Sequence, residues 1–441
     1  MAQIAMGSAL AAVKQLDLFN LPPTQGIVQK VRYVDQFTTK SNPNSSPLDF
    51  IIPQSGQDFI DLRRSRLEIK CKVKNGNVDL TDKDIVSTTN LFLQSLFSQV
   101  DVFMNNTRVS PASTNYSYRA YIPVILSYST AVNQTWLTEQ LFIKDTGNLD
   151  DPNSSPGKGN PGLIARADYI KKSKTLHLTG PLYADTWDCD KWIVPGVTIK
   201  ISLWRSKDEF SLISPQTTKD FHVEITEAKI VTCYCTLFEQ AYLAHEGALS
   251  ITPAKYPITK VEMKNFSMGS GAREKVFEDV FAGKVPMKLV VGFVLDSAYS
   301  GKFSQNPFNF QPFSTSFVGA YVNGVPTPGR AYEPIWNGKE KEGGEYIDCY
   351  NALFNFGNKT LRGGSSIDIL RQDFPRGYAL FVFDLDQMTS VDGDRLSLYK
   401  TGNLRLEIKF MSELKDSIQV IVYGQFPYIL KITKTREIML E

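Results

Sequence analysis

The sequence predicts an all-β chain of two β-rich halves, sandwiches or barrels, and three observations carry that prediction. Aromatic residues make up 12% of the chain, chiefly 27 Phe and 19 Tyr, with 29 Gly and 23 Pro spread along it, a mixture that suits many short strands joined by turns. Alternation of apolar and polar side chains with a period of two recurs in both halves. A chain of 441 residues with 42% hydrophobic content buries two cores of roughly 200 residues more naturally than one.

Residues 1–24 read as an N-terminal arm. Ile4, Ala5, Ala12 and Leu16 fall near one helical face, and Pro22-Pro23 breaks the pattern. Such a segment either packs on its own domain as a terminal helix or reaches a membrane or a neighbouring subunit. From Gly26 the period changes to two. The clearest strand places Leu67, Ile69, Cys71 and Val73 on one face, with Arg66, Glu68, Lys70, Lys72 and Lys74 on the other, and runs into the turn pair Asn75-Gly76. The same alternation returns at Val197–Leu203 and Leu404–Phe410. Further strand-like runs are Gly26–Phe37, Gln99–Met104, Phe221–Thr232, Ile258–Phe266, Met287–Leu295, Phe317–Val322, Tyr378–Phe383 and Ser417–Tyr423, with Asn323-Gly324 and Asn337-Gly338 marking turns. Helical periodicity is confined to Asn90–Phe97, Tyr118–Tyr128 and Thr135–Phe142, which read as short insertions in a β scaffold. Asn148–Gly162 reads as a flexible surface loop. A boundary near Glu239–Ser250 divides the chain into domains 25–240 and 241–441. The string Arg-Leu-Glu-Ile-Lys occurs at 66–70 and again at 405–409; lying near the start of one half and the end of the other, it reflects strand patterning and not a repeat.

Several classes of chemistry are disfavoured. Lys plus Arg number 48 against 46 Asp plus Glu, a formal charge of +2, without the basic excess that wrapping nucleic acid requires. Five scattered cysteines do not suggest a disulfide framework and fit a reducing assembly site. No signal peptide is evident, so the sequons at Asn44, Asn115, Asn133 and Asn358 are not expected to be glycosylated. No apolar run reaches the roughly 20 residues that span a bilayer. Gly157–Gly162 matches G-x-G-x-x-G, but that motif needs a strand before it and a helix N-terminus after it, so a plain loop is expected. His177, His222 and His245 lack metal-ligand spacing, and Cys233 and Cys235 read as buried thiols on one face of a strand. Asp384, Asp386, Asp392 and Asp394 read as a solvated turn and not a calcium loop. The aromatic stretch Ala298–Tyr332 has too few basic residues for a nucleic-acid stacking groove and suits a core or a subunit interface better. No catalytic residue, metal site or cofactor is expected. The competing class is a carbohydrate-binding or hydrolytic sandwich, which calls for a cleft with paired carboxylates and Trp platforms; Trp136, Trp187, Trp192, Trp204 and Trp336 are dispersed along the sequence.

Several strings resemble one family over most of the chain from about residue 25. Asp58–Leu67 (DFIDLRRSRL), Leu96–Phe103 (LFSQVDVF) and Tyr118–Tyr128 (YRAYIPVILSY) resemble the capsid proteins of adintoviruses and related Polinton (Maverick) elements. So do Leu178–Leu182 (LTGPL), Leu203–Asp208 (LWRSKD), Ala254–Ile258 (AKYPI), Asn306–Phe310 (NPFNF) and Gly402–Ile408 (GNLRLEI). The strings are specific as a set, and none encodes chemistry. The resemblance implies a double jelly roll, two tandem eight-stranded antiparallel sandwiches, that forms a homotrimeric, pseudo-hexagonal capsomer of an icosahedral shell. It also implies penton and minor capsid or cement partners, and assembly inside the host cell into a virion. At 441 residues the chain is short for this lineage, which implies a low outer surface and leaves a penton-like minor capsid protein as the alternative. Aromatic loops would then form intersubunit contacts, with Phe308, Phe310, Phe313, Phe354 and Phe356 as candidates. On this expectation, charged substitution at Phe308 and Phe310 yields a soluble monomer.

Overall fold

A computed structural model of the chain describes residues 14–19, 21, 24–54, 56–336, 344–357, 366–386 and 397–440. Most of the expected N-terminal arm, the Asn337-Gly338 turn, Asn358, Asp392 and Asp394 lie outside the described residues.

The first half contains strands β1 (Val28–Phe37), β2 (Leu48–Ile52), β3 (Phe59–Asn75), β4 (Val78–Asp79), β5 (Ser87–Thr88), β6 (Phe97–Met104), β7 (Thr107–Arg108), β8 (Leu176–Gly180), β9 (Ile199–Arg205), β10 (Leu212–Ile213) and β11 (Phe221–Leu237). The second contains β12 (Ala254–Met268), β13 (Glu274–Phe277), β14 (Lys284–Val285), β15 (Lys288–Leu295), β16 (Thr315–Val322), β17 (Val325–Pro326), β18 (Leu380–Asp384), β19 (Lys400–Thr401), β20 (Leu404–Phe410), β21 (Ile418–Ile432) and β22 (Ile438–Leu440). Two four-stranded layers build each half: β1-β11-β3-β8 over β2-β9-β6-β7, and β12-β21-β15-β18 over β13-β20-β16-β17. Counting only these layer strands along the chain, both halves have the order 1-8-3-6 in one layer and 2-7-4-5 in the other. All their pairings are antiparallel. Eight antiparallel strands wound this way into two facing sheets form a jelly roll, so the chain is a double jelly roll.

Local sequence explains the strands that carry the winding. In β3, Leu67, Ile69, Cys71 and Val73 are buried while Arg66 is exposed and Lys70 and Lys72 are partly so. Leu67 and Ile69 face Ile230 and Ala228 of β11. Asn323 and Gly324 both take positive φ, 51° and 82°, closing the two-residue hairpin β16–β17 that such a pair favours. β15 and β18 are instead apolar along nearly their whole length, because both faces of their sheet are covered. The Arg-Leu-Glu-Ile-Lys strings fall in β3 and β20, the third layer strand of one roll and the seventh of the other; their positions are not equivalent.

No strand is shared between the sheets of residues 28–237 and those of residues 254–440, yet the cores interlock. Tyr256, Ile258, Leu430 and Ile432 pack into the first core, and the helix Tyr116–Ser127 from the first half lies in the second. That helix is buried on almost every side, as a helix enclosed by protein should be. Among the described residues, the two longest helices outside the predicted segments are Glu239–Ile251 and Pro161–Ile170. Glu239–Ile251 joins the rolls and is mostly exposed, with Leu249 its buried residue. Pro161–Ile170 starts with Pro after Asn160, whose side chain accepts a hydrogen bond from Leu163 N at 3.3 Å. Among the described residues no helix is long and apolar enough to cross a membrane.

The loop before β5 is held by Asp84. Its carboxylate accepts from Thr81 N (2.7 Å) and Thr81 Oγ1 (2.8 Å) and pairs with Lys219 Nζ at 2.5 Å. Burial alone would raise its pKa, but Lys219 and Thr81 outweigh burial and bring it from 3.8 down to about 2. The folded value is the depressed one, so the stabilisation is present above pH 4 and is lost as pH falls through about 2. Asp84→Asn should cost about 2 kcal/mol at neutral pH. In urea titrations across pH, its gap to wild type should close between about pH 4 and 2; a gap that does not change with pH would refute the assignment.

Candidate functional site

Among the described residues, those that bear chemistry do not converge on a catalytic centre. His177 and His245 are exposed on different elements, His177 at 3.8 Å from Glu68 and His245 edge-on to Phe59. The Gly157–Gly162 segment differs from the expected flexible loop: a helix follows it, and Asn160 and Gly162 are buried. A Cβ on Gly162 would lie 2.3 Å from the Lys144 carbonyl oxygen. No strand precedes the segment, and Asn160 already caps the helix, so the motif is a packed helix start and not a phosphate cradle. Asp386 N donates to Asp384 Oδ1, and Lys400 Nζ approaches Asp386 Oδ1 at 3.3 Å, a turn neutralised from within. Trp136 is the most exposed of the tryptophans, at 77%. Trp187 is buried, and the indole N–H groups of Trp192, Trp204 and Trp336 donate to Asp61, Asp101 and the Thr315 carbonyl.

Three of the five candidate interface phenylalanines are buried within the single chain. Phe308 is 1% exposed and Phe310 0%. Phe308 stacks on Tyr121 at 4.2 Å and 10° and meets Tyr118 and Phe210 edge-on. Phe310 lies against Gly292, where a Cβ would come within 2.7 Å of its ring. Phe356 is buried beside Tyr423. These three are core residues of a single chain: Asn306–Phe310 crosses between the rolls, and its aromatic rings fill the space against the helix Tyr116–Ser127. Phe313 and Phe354 keep partial exposure, Phe354 packing edge-on to Tyr350.

What those aromatics build is a rigid junction. Tyr118 Oη donates to the Pro307 carbonyl at 3.0 Å. Arg119 pairs with the buried Asp185, whose Oδ1 also accepts from Val261 N of β12 at 3.0 Å; burial raises the Asp185 pKa against the pull of Arg119. Arg166 and Asp145, both fully buried, pair at 2.7 Å, and Asn306 Nδ2 reaches Asp145 Oδ2 at 3.2 Å.

The surfaces left uncovered in the single chain include sheet edges and exposed apolar side chains. The outer edges of β1 and β12 have no partner strand among the described residues. Lys30, Arg32 and Asp35 on β1, and Lys255, Lys260, Glu262 and Lys264 on β12, guard them against indiscriminate strand pairing. Val31, Tyr33 and Phe37 are 41%, 55% and 58% exposed, in line along the face of β1. On the second roll, Ile335, Ile347 and Leu370 are exposed beside a stack of Trp336, Tyr346 and Phe374 with ring centroids 5.4–6.0 Å apart. Sequence reasoning missed both groups, since alternating apolar residues on β1 give the same pattern whether they face a core or a partner.

No protein-family model matches the chain. It is similar to an uncharacterised protein of Caenorhabditis elegans, 20% identical over an aligned length of 430, covering 93% of this chain and 97% of that one. Among solved structures, it is similar to a chain of the Sputnik virophage with a TM-score of 0.59 and 13% identity, covering 100% of this chain and 94% of that chain. The Faustovirus major capsid protein matches with a TM-score of 0.57 and 9% identity, covering 94% and 92%. The mavirus major capsid protein matches with 0.53 and 10%, covering 100% and 97%. At these identities the likeness is one of fold: both jelly rolls are shared along nearly the whole chains.

Proposed function

We propose that the chain is the major capsid subunit of a double-stranded DNA virus or virus-like element, acting by self-assembly and not by catalysis. One observation carries the reading: two jelly rolls of identical strand order are locked side by side in one chain. Three copies about a threefold axis present six similar sandwiches, which gives a pseudo-hexagonal block able to tile a closed shell. The full-length likeness of fold to the Faustovirus and mavirus major capsid proteins supports it, and the strings resembling Polinton and adintovirus capsid proteins support that lineage. Penton and cement proteins are the partners this implies, residues 1–24 are the segment for contact with a membrane or a neighbour, and assembly takes place inside the host cell. The nematode relative, similar along its whole length, favours a second reading in which the gene is an integrated or host-adopted copy of such an element.

Size-exclusion chromatography with light scattering, and negative-stain imaging of the same peak, test the assignment. The expected species has three times the 49.5 kDa chain mass and a hexagonal outline. A pentamer would move the chain to a penton role, and a monomer that never assembles would overturn the capsid reading.

A further inference from the structure

We propose that Asp61, Cys233 and Cys235 form a structural site for a thiophilic divalent cation of the Zn²⁺ class on the outer face of the first jelly roll. The two sulfurs and a carboxylate oxygen lie within 4.8 Å of one another, and all three residues are buried. Strand geometry brings them together. Cys233 and Cys235 share a face of β11, and the register sets Cys233 opposite Asp61 of β3 on one side and Tyr33 of β1 on the other.

The backbone departs from a plain ladder at this point. The β3–β11 register shifts between Val231 and Cys233, and Ser65 Oγ enters the gap, accepting from Cys233 N at 3.0 Å and donating to the Asp61 carbonyl at 2.7 Å. Irregularities of this kind re-aim side chains beside functional sites. The Asp61 carboxylate is also oriented from behind, by Trp192 Nε1 on Oδ2 at 3.0 Å and Arg64 N on Oδ1 at 3.1 Å. Arg64 Nε also lies 3.6 Å from Oδ2, so Oδ1, with a single donor, is the oxygen with room for an ion, and such outer-shell donors are what metal-binding carboxylates use. Tyr33, 55% exposed, stands opposite Cys233 in the β1–β11 register, at the open side of the site, where its hydroxyl or a water would complete four ligands.

A thiol of ordinary acidity, with a pKa of about 8.5, is mostly protonated at neutral pH. Loading therefore exchanges one dication for two protons: both S–H bonds break, two metal–thiolate bonds and one metal–carboxylate bond form, and the protons go to solvent. Two thiolates select zinc-class ions over calcium or magnesium. A Cys233–Cys235 disulfide fits less well. Alternate residues on a strand stand about 6.6–6.8 Å apart at Cα, the upper limit for a bridge, and a disulfide would have no use for Asp61. The bound ion would clamp β3 to β11 next to the helix Glu239–Ile251, whose His245 packs on Phe59.

The test titrates Cd²⁺ into reduced full-length protein and reads the thiolate-to-cadmium ultraviolet band, with Zn²⁺ as competitor. The expected result is one equivalent per chain, about two protons released, and Zn²⁺ removing the band. Asp61→Asn should weaken binding at least about tenfold, Cys233→Ala with Cys235→Ala should abolish the band, and Cys71→Ala should leave it intact. Absence of the band in wild type, or its survival in the double variant, would overturn the site. Should the variants fail to fold, alkylation of wild type read by mass spectrometry decides: Zn²⁺ must protect Cys233 and Cys235, and equal labelling with and without Zn²⁺ would sink the proposal.

Discussion

Asp145→Ala is expected to lower the stability of the folded chain by about 3–5 kcal/mol. Arg166 has no exposed surface, and its guanidinium makes three buried hydrogen bonds: to Asp145 Oδ1 (2.7 Å), the Ile143 carbonyl (2.6 Å) and the Thr88 carbonyl (3.0 Å). Removing the carboxylate leaves a full positive charge in the interior with only carbonyl dipoles around it, and also strips Asn306 Nδ2 of its acceptor. Asn306 and Tyr378, whose hydroxyl donates to the Asp145 carbonyl at 2.7 Å, belong to the second half, whereas Arg166 and Asp145 belong to the first. The loss therefore falls on the junction that holds the two rolls together. The double variant Asp145→Leu with Arg166→Met should recover much of the loss, because a buried ion pair contributes little over an apolar pair of similar volume. Urea unfolding followed by two probes would measure both variants. A cost below about 1 kcal/mol for Asp145→Ala would show that water reaches Arg166 and that the junction is looser than its geometry implies.

The strands were more legible in the sequence than the junction, and the reason is range. β3 and β20 announce themselves because alternation is a local property, decided by which neighbours face the core. Gly76, Asn323 and Gly324 are legible because positive φ selects residue types directly. β2 and β8, of five residues each, are too short to raise a periodic signal, and β21 continues nine residues past the predicted end at Tyr423 because Phe426 packs on Phe281 in its own roll while Leu430 and Ile432 are buried by the other roll and pair with β22. The helix Pro161–Ile170 carried its own start signal in Asn160-Pro161, hidden by the loop-like composition before it. Asp61 beside Cys233 and Cys235 could not be found at all from spacing, since the contact joins residues about 170 positions apart through a strand register that only the fold sets. The aromatic cluster was legible as a cluster but not as to its side: Phe308 in a core and Phe308 at an interface are the same residue in the same string.

The burial of Phe308 decides between the two. Phe308→Ala should destabilise the chain by about 3–5 kcal/mol, while the fraction that folds assembles as wild type does. Phe308 is enclosed by Tyr121 at 4.2 Å, Tyr118 at 5.5 Å and Phe210 at 5.9 Å, so truncation loses a buried ring, its stacking partner and the packing of a cavity that the surrounding strands cannot close. A charged residue at the same place should prevent folding instead of releasing a soluble monomer, because no solvent path exists for the charge at a position 1% exposed. Two readouts separate core from interface: the urea midpoint, which the core assignment moves, and the mass of the folded species by light scattering, which it leaves alone. A Phe308→Ala chain with a wild-type midpoint and a lost oligomer would return Phe308 to the subunit boundary. It would also mean that the helix Tyr116–Ser127, which covers the ring, moves away when copies of the chain meet.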